Sequence, residues 1–135
     1  MGIGYCGYAK KMIEDKKTVI YSYCCYNLSQ SNWKEMKEKW DGEICLSRGS
    51  FIELEIHERI KRTPSGKKKL NIKRIPRNVW PGGLAKEGKL TVKNASGTWK
   101  TNDDGIDFMA FRLVMKLITE YQLSGLIPQC TSWCS

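Results

Sequence analysis

A chain of 135 residues and 15.5 kDa suits one hydrophobic core, since about 100 to 150 residues is the usual size of a domain. With 41% hydrophobic and 27% charged residues it is too apolar for disorder, and its apolar runs, such as 19–21 and 114–115, are only a few residues long, far short of the roughly 18 to 20 that span a bilayer. The net charge of +9 is concentrated: segment 59–77 carries Arg59, Lys61, Arg62, Lys67, Lys68, Lys69, Lys73, Arg74 and Arg77 with no acid, and the other 14 basic residues balance the 14 acidic ones.

In chain order, residues 1–7 read as a flexible N-terminus rich in glycine. Its lysines follow its apolar residues, unlike a secretion signal, and Cys6 stands where a myristoylation motif wants Ser or Thr. A cytoplasmic location is the expectation. Tyr8, Ala9, Met12 and Ile13 predict a short amphipathic helix over 8–16. Residues 18–26, β-branched and aromatic and apolar on both parities, predict a central strand covered on both faces.

Trp33, Met36 and Trp40 recur at i, i+3 and i+7 among charged residues, which predicts a helix over 33–40, with Asn32 and Glu35 as a capping box. After Asp41-Gly42, residues 43–47 predict a second or edge strand. Segment 51–62 is ambiguous. Ile52, Leu54, Ile56 and Ile60 share one parity, yet Glu55 with Arg59 and Glu58 with Arg62 are i, i+4 ion pairs worth about 0.2 to 0.5 kcal/mol each on a helix, and the balance falls on a helix over 53–62.

A turn at 63–66 then leads to a half-exposed basic strand over 69–75. Residues 84–87 suggest one helical turn, and 89–94 with 98–101 frame a hairpin about Asn94-Ala95-Ser96-Gly97. Asp104, with Asp107 three positions on, predicts the cap of a long helix over 106–122. That helix is apolar on most of its circumference and hence buried, with only Arg112, Lys116, Thr119 and Glu120 as a polar stripe. Ser124-Gly125 and Pro128 end it, leaving 124–135 as a tail. The whole predicts a single α+β domain over 1–135: a mostly antiparallel sheet of about five strands, helices packed on it, and a buried C-terminal helix.

The chemistry-bearing residues are sparse. Six cysteines, Cys6, Cys24, Cys25, Cys45, Cys130 and Cys134, lack the paired knuckles of a zinc site, and in a cytosolic setting read as reduced thiols rather than a disulfide framework or a Cys130–Cys134 redox pair. His57 is the only histidine and lies among charged residues, as a solvated histidine does. Asp103, Asp104 and Asp107 are explained by capping and the helix dipole, and phosphate-binding glycine motifs are lacking. No cofactor and no metal are expected. Trp33, Trp40 and Trp99 read as core aromatics, and Trp80, in a Pro/Gly turn near Arg74 and Arg77, is the best candidate for stacking.

At 19–28, Val-Ile-Tyr-Ser-Tyr-Cys-Cys-Tyr-Asn-Leu, and at 56–70, Ile-His-Glu-Arg-Ile-Lys-Arg-Thr-Pro-Ser-Gly-Lys-Lys-Lys-Leu, the chain resembles small uncharacterised bacterial single-domain proteins, and through them immunity proteins of bacterial toxin systems. That resemblance implies an α+β binder that blocks a toxin by occupying its surface. Immunity proteins against nucleases are more often acidic, so the +9 charge points to a partner with an acidic surface. The expected function is therefore non-catalytic: a basic surface of Arg59, Lys61, Arg62, Lys67, Lys68, Lys69, Lys73, Arg74 and Arg77, with Trp80, docking on an acidic protein such as a toxin, as an immunity or inhibitor protein does. The alternative is nucleic-acid binding through the same cations, and a third reading is a small basic ribonuclease using Lys, Arg, Tyr or Glu. No membrane partner is expected.

Overall fold

The computed structural model describes residues 4–52, 55–62, 68–75 and 80–134, with 55–62 and 68–75 described by their backbone alone. Its centre is a five-stranded antiparallel sheet in the order β6-β3-β2-β1-β7. The strands are β1 (Tyr5–Glu14), β2 (Thr18–Asn27), β3 (Gly42–Ser47), β6 (Leu90–Lys93) and β7 (Cys130–Cys134). A two-stranded ribbon, β4 (Glu55–Arg62) and β5 (Lys68–Ile75), forms a sheet of its own. The helices are α1 (Trp33–Glu38), α2 (Pro81–Lys86) and α3 (Phe108–Ser124). This is the expected α+β class, and β2 lies at the middle of the sheet as its two apolar parities require.

Two of the five strands are not the expected ones. Residues 8–14 form part of β1 rather than a helix, with 15–16 in the turn that follows; β1 pairs with β2 from Tyr5↔Asn27 to Glu14↔Val19, with an irregularity between Lys11 and Ile13. The turn between them is made by Asp15, whose carboxylate accepts hydrogen bonds from the backbone N–H groups of Lys17 and Thr18 at 2.8 and 2.7 Å. Those two donors hold the Asp15 carboxyl below the usual carboxylate range. Such an Asx turn between two runs rich in aromatics is a hairpin signal, and pairing along ten residues outweighs the weak helical spacing of four. The N-terminus is correspondingly not a flexible arm from residue 4 onward: Gly4, Tyr5 and Cys6 are buried.

The expected tail likewise supplies an edge strand. β7 pairs antiparallel with β1, Cys6↔Cys134 through Lys10↔Cys130. The polar stripe of α3 holds it there. Lys116 Nζ donates to the Ser132 carbonyl at 2.6 Å, Thr131 Oγ1 donates to Glu120 at 2.9 Å, and Arg112 lies over the Trp133 ring. Cys6 and Cys134, opposite each other with Cα atoms 4.2 Å apart, form a disulfide, which corrects the expectation of six reduced thiols and leaves no Cys130–Cys134 pair. Residues 98–101 form no strand. Only Thr101 makes an isolated bridge, to Asp107, so the expected hairpin about Asn94–Gly97 is a loop leaving β6.

Segment 55–62 is a strand, not a helix. In β4–β5 the register pairs Ile60 with Leu70 and Glu58 with Ile72, and two surface ion pairs of a few tenths of a kcal/mol cannot outweigh an eight-residue antiparallel ladder that includes the β-branched Ile56, Ile60, Ile72 and Ile75. The expected helix at 33–40 stops at Glu38, and Asn32 makes no side-chain cap.

The core lies between α3 and one sheet face. Tyr5 and Ala9 of β1, Val19, Tyr21, Tyr23 and Cys25 of β2, Ile44 and Leu46 of β3 and Leu90 of β6 pack against Met109, Leu113, Val114, Leu117 and Ile118. Gly7 is required where α3 crosses β1, because a Cβ there would run into the Met109 side chain. Gly125, at φ 75°, ends α3 in the left-handed conformation glycine tolerates.

Candidate functional site

The ribbon carries most of the expected basic surface. Paired residues of an antiparallel ribbon share a face, and successive residues alternate. The register His57↔Lys73, Arg59↔Asn71 and Lys61↔Lys69 therefore assigns Arg59, Lys61, Lys69 and Lys73 to one face, together with His57 and Asn71 and, at its far end, Glu55 and Ile75. Arg62, Lys68 and Arg74 fall on the other, with Glu58, Ile56, Ile60, Leu70 and Ile72. Lys67 and Arg77 lie outside the described residues. Four of the nine cations thus share one face of an amphipathic ribbon. Trp80 is 66% exposed, just ahead of α2, with its ring 6.4 Å from that of Phe111 on α3.

The acids of 103–107 divide sharply. Asp103 and Asp104 are exposed, and Asn102 organises their loop by accepting from the N–H groups of Asp104 and Ile106. The helix cap is Asp107, not Asp104. Its carboxylate is fully buried and accepts from the Met109 N–H, the Tyr5 and Tyr23 hydroxyls at 3.0 Å and the Cys25 thiol at 3.4 Å. Tyr23 Oη in turn accepts from Ala95 N–H, and Tyr5 Oη from Trp99 N–H. One carboxylate therefore ties β1, β2, the start of α3 and the loop after β6. Burial first, and then the neighbouring Asp107 charge, pushes both phenols well above the ordinary tyrosine value and the Cys25 thiol up to about 12. Groups so held are proton donors fixed in place, a brace rather than an acid–base pair open to substrate.

The opposite sheet face carries a second candidate. Tyr8, Cys24 and Tyr26 occupy it, and register also places Cys6, Cys45, Cys130 and Cys134 there. α1 covers it only partly, having no buried residue of its own. Tyr8 and Tyr26 stack with centroids 6.1 Å apart, Trp33 lies 5.9 Å from Tyr26, and Trp40 lies 6.5 Å from Tyr8. Ser22 Oγ donates to the Trp40 carbonyl at 2.8 Å and holds the chain after α1 over the strand. Lys34 sits 5.6 Å from the Trp33 ring centre and Lys37 5.7 Å from that of Tyr26. Between them is a hollow of about 740 Å³ lined by Tyr8, Trp33, Lys34, Lys37, Glu38 and Trp40. The expectation that Trp33 and Trp40 are core aromatics is corrected: Trp33 is half-buried and Trp40 is 42% exposed. Trp99 is likewise exposed, edge-on to Tyr5. The helical spacing of Trp33 and Trp40 identified a shared face but not how deeply it would be covered.

Among the described residues no group of three or more His, Cys, Asp or Glu side chains is placed to hold a metal ion, and no helix is long and apolar enough to cross a membrane. Comparison with protein-family models, curated proteins and solved structures returns no match.

Proposed function

We propose that the chain is a non-catalytic binding protein that docks the basic face of its β4–β5 ribbon on an acidic protein surface, in the manner of an immunity or inhibitor protein. The observation that carries this reading is the register that assigns Arg59, Lys61, Lys69 and Lys73 to one ribbon face. Clustered ammonium and guanidinium groups steer an acidic partner from about a Debye length, roughly 8 Å at physiological salt, while exposed aromatics such as Trp80 supply short-range affinity. The burial of the Asp107 carboxylate supports the non-catalytic part, since this acid has all its contacts inside the protein.

The form of the ribbon favours a second reading. Two antiparallel eight-residue strands make up a sheet by themselves, and a two-stranded ribbon is one of the elements that enter the DNA major groove. The same cations would then contact phosphates and release counterions.

Gel shifts with random-sequence DNA and RNA at about 50 and 200 mM salt, for the native chain and a Lys61→Gln/Lys69→Gln/Lys73→Gln variant, separate the two. Salt-sensitive shifts lost in the variant support nucleic acid. No loss of nucleic-acid shift in the variant, together with variant-sensitive binding to polyglutamate, supports the acidic protein surface, and RNA degradation would support the ribonuclease. A cytosolic location goes with the first reading. A Cys6–Cys134 bond that persists in protein from cells lysed in alkylating agent would place it instead in an oxidising compartment.

A further inference from the structure

We infer that the aromatic face beneath α1 is a binding track for single-stranded nucleic acid, separate from the ribbon, in which bases stack on Tyr8, Trp33 and Trp40 and phosphates meet Lys34 and Lys37. The chemistry of the lining sets the class of ligand. Three partly exposed aromatic rings and two ammonium groups within 6 Å of ring centres match a planar group joined to an anion. A neutral glycan would need a ring of amides and carboxylates for its hydroxyls; the hollow beneath α1 offers only Glu38, and in the adjoining one Glu120 and Gln129 are engaged with Thr131 Oγ1 and the Lys11 carbonyl. A quaternary ammonium ligand would meet lysines at the ring faces it needs. Base stacking on aromatics is worth enough to dominate such a site and tolerates any sequence, because every base has a π-face.

The shape selects a polymer over a mononucleotide. A second hollow of about 530 Å³ runs along β1 and β7, and it shares Tyr8 and Trp40 with the first. The two are continuous across those rings. The second contributes Lys10, and Lys116 where it reaches the Ser132 carbonyl, beside a Glu120 carboxylate held by Thr131, so cations recur along the path as phosphates do along a strand. Trp40 stands at the junction, its backbone tied to Ser22 on β2.

The test is tryptophan fluorescence and anisotropy with a fluorescein-labelled oligo(dT) of ten nucleotides. The native protein should bind with quenched tryptophan emission and an affinity that falls as salt rises. Trp40→Ala, at an exposed position, should weaken binding about tenfold, and Lys34→Gln/Lys37→Gln should lower the salt slope, both with unchanged circular dichroism and melting temperature. The ribbon variant Lys61→Gln/Lys69→Gln/Lys73→Gln should retain the tryptophan quenching, so failure of the ribbon reading and failure of this one are distinguishable. An abasic strand of the same length binding as tightly as oligo(dT), an affinity unchanged by Trp40→Ala, or polyglutamate displacing the oligonucleotide at equal charge would each overturn the proposal.

Discussion

The two faces of the central sheet are built from alternate residues of the same strands, yet they have opposite fates. Toward α3, Val19, Tyr21, Tyr23 and Cys25 meet a 17-residue helix and are sealed with no more than a trace of exposure. Toward α1, Tyr8 stays partly open, as do Trp33 at the start of that six-residue helix and Trp40 just after it, though Cys24 and Tyr26 beneath them are buried. Both sides look apolar along the strand. What separates them is the length of the covering element and the polar group at its end: α3 brings Asp107 into the core as a four-donor acceptor, whereas α1 brings lysines to the rim. A face becomes a core when its cover is long enough to exclude water, and a surface when it is not.

The largest test of this contrast is Asp107→Ala. It strands the Tyr5 and Tyr23 hydroxyls and removes the cap of α3, and the expected loss is about 4 kcal/mol of unfolding free energy by urea titration. A loss under about 1 kcal/mol would mean the sealed face does not depend on its polar brace. Next, Cys6→Ser or Cys134→Ser should cost about 3 kcal/mol, because the bond joins residues 128 apart in sequence and fastens the edge strand. Dithiothreitol should reproduce that loss in the native chain and leave the variants unchanged.

Alkaline titration reads the buried thiols and phenols of the sheet through their protons. Burial raises Cys24 to about 11 and Cys25 to about 12 from an ordinary value of 9.0, and raises Tyr5, Tyr21 and Tyr23 from 10.0. Between the unfolded and folded values the native state holds more protons. The stability these groups contribute is therefore complete below about pH 9 and falls as pH rises from there toward the folded values. In step with this, thiol labelling of the native protein at pH 8 should reach the exposed Cys130 first and leave Cys24 and Cys25 protected until unfolding. The smallest effect is expected on the open face, where Trp40→Ala should change stability by less than about 0.5 kcal/mol. A larger loss would show that this ring belongs to the core after all.

Where sequence reading succeeded, a local rule and the tertiary environment agreed. Apolar residues on both parities of 18–26 require cover on two sides, and β2 has it. The near-continuous apolar surface of 106–122 requires burial, and α3 is buried. Where reading failed, weak local signals competed with partners far along the chain. Tyr8, Ala9, Met12 and Ile13 keep helical spacing, but β2 and β7 supply two ladders for β1, and the Asp15 turn was the overlooked sign of the first. The ion pairs of 55–62 are real at helical spacing and void in a strand, and only the match with 68–75 decides between them. For the binding residues, composition located the cations of 59–77 but not their division between two ribbon faces, and spacing read Trp33 and Trp40 as core aromatics because it does not tell how deeply a face is covered or bring in Tyr8, 32 positions from Trp40.

From the amino-acid order alone come the α+β class, the buried last helix, the central strand and the basic segment, all of which follow from patterns spanning fewer than about 20 residues. Which strands neighbour which, the union of Cys6 with Cys134, the convergence of Tyr5, Tyr23 and Cys25 on Asp107 and the openness of the aromatic face were decided only in three dimensions. Each depends on the register between distant segments, and in a pleated strand a shift of one residue exchanges the faces.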